Sequence, residues 1–135
     1  MSMATTGRLA TAALVLGLTL AQAQYGPRPD YSARWVSGLI GRVHADLNRA
    51  YGSWRFSRGD QDRLNSAEHQ LRDFAVKWNR GRFDKGELDE AIGSIQHVVD
   101  NNRMPRGNRD ALIDDLGRLR GMRQAYDDHL IGSYR

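Results

Sequence analysis

The sequence predicts an all-α fold, an antiparallel up-down four-helix bundle, and three observations carry that prediction. Apolar residues recur every three or four positions along four long stretches. No stretch alternates apolar and polar residues with period two, and none of the four contains an interior proline. The links between the stretches are only about four or five residues long, which favours antiparallel neighbours. A three-helix core with a loosely docked first helix is the alternative arrangement.

The first helix is expected over about residues 32–52. Val36, Ile40, Val43, Leu47, Ala50 and Trp54 form its stripe, widened by Trp35 and Leu39. Ser32 is its expected N-cap, with Tyr31 placed to staple against Val36. Leu64, Ala67, Leu71, Phe74 and Trp78 predict the second helix, about 58–79. The third, about 85–101, rests on Leu88, Ala91, Ile92, Ile95, Val98 and Val99. A fourth, about 106–130, follows from Leu112, Ile113, Leu116, Leu119, Met122, Tyr126 and Leu130.

Three of these helices open on one local pattern: an apolar residue, then a cap or proline, a cation, a glycine, and an aspartate three positions after the glycine. Ser57 and Asp84 are the expected caps, with Asp60 and Glu87 three residues on as capping-box partners. Glycines within the helices, at 38, 41, 93, 117 and 121, each cost about 1 kcal/mol against alanine, and close helix packing is their expected justification.

The chain has 135 residues and a mass of 15.2 kDa, with 40% hydrophobic and 27% charged residues, which suits one modest folded domain. Its start reads as an export signal: Arg8, an apolar run from Leu9 to Leu20, and the small-x-small sequence Ala21-Gln22-Ala23. The run is shorter than the roughly 20 residues a spanning helix requires, so cleavage near Ala23 is expected to leave no transmembrane anchor. Residues 24–31 carry two prolines and read as an extended arm; residues 32–135 form the bundle domain. The product is expected to be secreted or periplasmic.

Chemistry-bearing patterns are sparse. There is no cysteine, no Gly-x-Ser-x-Gly elbow and no phosphate-binding glycine loop. Residues around Gly86 resemble half an EF-hand, but Gly81, Phe83, Lys85 and Ile92 occupy positions that need oxygen ligands, so helix capping explains the segment. Histidine falls once on each predicted helix, without Glu-x-x-His or His-x-x-x-His spacing. His44 and His129 border the expected core and are the pair to watch for a metal. His69 with Asp73 and His97 with Asp100 have the spacing of surface helix pairs. No catalytic residue, cofactor site or metal site is assigned.

The candidate site is a surface. Lys77, Trp78, Arg80, Arg82, Phe83 and Lys85 gather cations and aromatics around one link, a composition suited to anionic groups or stacking. The competing reading has the aromatics plug the bundle's end while the cations stay solvated. The functional expectation is a small exported, non-catalytic binding or structural protein of the cell envelope. Its expected partner is an anionic polymer, a lipid head group or a partner protein, and not nucleic acid. A carboxylate-based hydrolase and a histidine metal-binding bundle are the alternatives.

Overall fold

A computed structural model describes residues 30–131, in which the chain forms four helices: α1 (Ala33–Ser53), α2 (Arg58–Asn79), α3 (Lys85–Asn101) and α4 (Arg106–Asp127). The expected signal, residues 24–29 of the arm and residues 132–135 lie outside the described residues. Among those described there is no strand, and no helix is long and apolar enough to cross a membrane.

Each helix packs against its neighbours in chain order and α4 also packs against α1, while the diagonal pairs make no close backbone approach. Cross-helix contacts run in opposing chain order, as antiparallel neighbours do. Between α2 and α3 they join Asp60 to Asn102, Gln70 to Glu90 and Lys77 to Glu87. Between α1 and α4 they join Tyr31 to Gly121, Arg42 to Asp114 and Ser53 to Asn108. One apolar core fills the centre, with Leu47, Leu64, Phe74, Leu88, Ile95 and Leu112 among its fully buried members. Because α1 contributes Val36, Leu39, Val43 and Leu47 to that core, the first helix is integral and the loosely docked alternative does not hold.

The helices begin largely where capping chemistry predicts. Ser32 accepts from Trp35 N at 3.2 Å, Ser57 from Asp60 N at 3.1 Å, and Asp84 from Glu87 N at 3.1 Å. The reciprocal half of the capping box is absent, because the Asp60 side chain turns to Asn102 and Glu87 turns to Lys77. At α4 the cap position is Pro105, which offers no side-chain hydrogen bond. Tyr31 meets Trp35 edge-on, with ring centroids 5.1 Å apart.

Helix ends show how the backbone stops. After α2, Gly81 has φ +77° and donates to Trp78 O, while Arg82 N donates to Lys77 O, a Schellman arrangement with glycine in the left-handed position. The same arrangement closes α4, with His129 at φ +58° donating to Tyr126 O and Leu130 N donating to Ala125 O. This corrects the expected end at residue 130. The helix stops at Asp127, Leu130 is 69% exposed, and Ile131 turns back into the core.

Two stripes also need correction. In α1, Leu39 is buried where Ile40 is only partly so, and Trp54, the residue just past the helix, is 37% exposed. In α4, Ile113 faces solvent. The interior glycines do not mark close packing: a Cβ placed at Gly38, Gly41, Gly93, Gly117 or Gly121 would meet nothing within 4 Å. Alanine at these exposed sites therefore gains helix propensity without a clash. Combining Gly93→Ala, Gly117→Ala and Gly121→Ala is expected to stabilise the bundle by about 2 kcal/mol, seen as a higher midpoint in urea unfolding.

Candidate functional site

The link between α2 and α3 carries the residues singled out in the sequence, and folding separates them by role. Trp78 is buried and Phe83 is half-buried. The Phe83 ring stacks on Tyr126 at 4.1 Å, nearly parallel, and meets Phe74 and Trp78 edge-on at 5.0 and 5.7 Å. These aromatics close that end of the core. Lys77 Nζ donates to Asp84 at 2.6 Å and to Glu87 at 2.8 Å, bonds that hold the Asp84 carboxyl below its ordinary range and raise the lysine. Lys85 lies 3.7 Å from Asp127. Arg80 and Arg82 are exposed and have no acidic partner among the described residues.

Both watched histidines are exposed, contrary to the expectation that they border the core. His44 packs beside Glu68 of α2, with Nδ1 3.4 Å from Oε1, whereas His129 lies beyond α4 in its terminating turn. His69 pairs with Asp73 as its spacing predicts, at 3.2 Å. His97 instead faces Asp60 at 3.8 Å, and Asp100 accepts from Gln96. Among the described residues no group of three or more His, Asp or Glu side chains converges to hold a metal ion.

The seam between α1 and α4 holds a feature that sequence reasoning missed. Asp46 is 5% exposed and Asp115 is fully buried. Arg49 Nη1 donates to Asp46 at 2.5 Å. Arg42 lies across the pair, with Nε 3.3 Å from Asp115 and 3.9 Å from Asp46, while its Nη2 donates to Asp114 at 2.7 Å. Neither Asp115 oxygen has a hydrogen-bond partner, so its carboxyl is buried without a donor in the same seam as that of Asp46. Burial first, then the Asp46 contact and charge, push the Asp115 acid up to about 7 against the opposing pull of Arg42. A signal was present in the sequence: Asp46 is three residues after Val43, and Asp115 three after Leu112, so each interrupts an apolar stripe.

A trough lies along a different seam. Ser37, Ile40, Gly41 and His44 line it from α1, and Glu68, Leu71, Arg72 and Ala75 line it from α2. Each set has i, i+3, i+4, i+7 spacing, so the trough is where two single helix faces meet. Its volume is about 310 Å³, at the small end of ligand sites. Small residues at 37, 41 and 75 leave the walls short. The Asp46–Asp115 pair does not line it.

No protein-family model, curated protein or solved structure matches this chain.

Proposed function

We propose that the chain is a small exported helical protein of the cell envelope that binds an anionic polymer without catalysis, through arginines at the ends of its bundle. The distribution of unneutralised charge supports this reading. Along the body of the bundle, Arg42, Arg118 and Arg123 are matched to carboxylates, whereas Arg120 donates to Gln96 and Arg72 has no acidic partner among the described residues. Arg34, Arg80 and Arg82 at one end, and Arg55, Arg58 and Arg103 at the other, have no acidic partner among the described residues. An unpaired guanidinium presents a planar fork of donors suited to carboxylate, phosphate or sulfate oxygens. Helices of this length hold the two ends about 30 Å apart, a separation that one extended polyanion spans and a single lipid head group does not.

The carboxylate-hydrolase reading gains no comparable support. A general acid must reach the group it protonates, and Asp115 is sealed within a helix seam away from the trough. The histidine-metal reading would need His44 and His129 to meet across the core, and both face outward.

Arg80→Ala with Arg82→Ala is the direct test, because neither side chain holds the fold together. On immobilised heparin, the variant should elute at lower salt, and the slope of log affinity against log salt should fall by about one per arginine removed. Its circular dichroism should match the parent's. Unchanged elution would remove these residues from the binding surface. Export is tested separately: the protein recovered from the cell envelope should begin at Gln24, and an intact amino terminus would argue against cleavage.

A further inference from the structure

We infer that the α1–α2 trough is a binding site for a small zwitterion of the amino-acid class, with Glu68 receiving the ammonium, Arg72 the carboxylate, and Ile40, Leu71 and Ala75 a short apolar side chain. Glu68 and Arg72 are one helical turn apart on α2, at the i, i+4 spacing that ordinarily yields an intrahelical ion pair, yet they form none. Glu68 instead points across to α1. Its Oε1 is buried without a hydrogen bond, because His44 Nδ1, though 3.4 Å away, is outside hydrogen-bonding geometry. Arg72 is exposed and has no acidic partner among the described residues.

One wall of the trough thus carries a largely buried carboxylate, covered at Oε1 by the His44 ring, and an unpaired cation one turn away, with apolar residues beside them. A buried acceptor without a donor is unfavourable, and an ammonium in the trough lets the Glu68 carboxylate turn outward and exchange that state for a charge-assisted hydrogen bond. An amine alone would leave Arg72 without a partner, and a carboxylate alone would leave Glu68 without one. A molecule with both groups satisfies both. The floor's modest length, with alanine and glycine in its walls, suits a side chain of leucine or valine size. Asn48 Nδ2, 3.0 Å from His44 Nε2, fixes the imidazole that forms the rim.

The site is distinct from the arginines at the bundle's ends, so Arg80→Ala with Arg82→Ala should leave it unaltered.

The test is titration of the purified protein with L-leucine, followed by amide chemical shifts. Saturable shifts at Gly41, His44 and Leu71 are expected, with Kd on the order of 1 mM. 3-Methylbutylamine, which lacks the carboxylate, and 4-methylpentanoate, which lacks the ammonium, should each bind at least about tenfold more weakly. Glu68→Gln and Arg72→Gln should each weaken leucine to a similar degree. Gly41→Leu fills the trough at a position where an added Cβ meets nothing within 4 Å, so it should abolish the shifts without loss of helicity. Absence of saturable shifts, equal binding of the two truncated probes and leucine, or undiminished binding by the Glu68 and Arg72 variants would each overturn the assignment.

Discussion

Asp115→Asn should make the bundle more stable at pH 7.5 and remove most of the fall in stability that the parent shows between about pH 4 and pH 7. In the unfolded chain Asp115 releases its proton near 3.8; in the folded protein it keeps it up to about 7. Between those values the unfolded state binds fewer protons than the folded one. Each unit of rising pH therefore favours unfolding by about 1.4 kcal/mol, until both states are ionised and the slope vanishes. Above that point two carboxylates share a buried seam, with Arg42 and Arg49 as cations and Asp114 adding like charge.

Asparagine keeps the size of the side chain and donates an N–H to Asp46, so the seam is satisfied without a titrating proton. The expected gain at pH 7.5 is about 2 kcal/mol, whereas at pH 4.5 the variant should be no more stable than the parent. Urea unfolding at the two pH values checks both statements. Equal slopes for parent and variant would show that the pair carries no such proton. Below about pH 4 a different set of groups takes over: Asp84 and Asp127, held below their ordinary values by Lys77 and Arg123, lose their pairing on protonation. Stability should consequently peak in mildly acidic solution.

Phe83→Ala should destabilise the bundle by about 3 kcal/mol, and this loss separates the structural aromatics from the exposed arginines around them. The ring touches Phe74 and Trp78 from α2 and Tyr126 from α4, so truncation opens the end of the core between two helices. Arg80 and Arg82, close by in sequence, share none of that packing. A thermal melt should show a lower midpoint for Phe83→Ala and an unchanged one for Arg80→Ala with Arg82→Ala. Were Phe83 instead a ligand platform, its truncation would reduce retention on the polyanion without the drop in midpoint. The six residues grouped by sequence around this link therefore divide. Trp78 and Phe83 seal the core, Lys77 and Lys85 are ion-paired, and Arg80 and Arg82 have no acidic partner among the described residues.

Much of the architecture was legible residue by residue. The starts of α2, α3 and α4 fall where the repeated turn predicts, and Ser32, Ser57 and Asp84 cap as their chemistry requires. These are local properties, governed by hydrogen bonds to amides three residues away and by a 3.6-residue period. The end of α4 was misjudged because Leu130 continues the apolar spacing, while the left-handed turn is made by His129 and not by the glycine that normally signals one.

The site-level features had no comparable local signature. Asp46 and Asp115 each interrupt an apolar stripe, but only the packing of α4 against α1 brings them into one seam and removes water from both. Glu68 and Arg72 have the spacing of a surface ion pair, and only the approach of α1 shows Glu68 turned into a trough instead. The sequence by itself determined which segments are helical, how they begin, and which broad face of each is apolar, because those follow from interactions a few residues in range. Only the packing of the helices settles which carboxylates are buried in one seam, which cations find a partner and where a trough remains. Charge and hydrogen-bond energetics depend on the distance and burial of groups far apart in the chain.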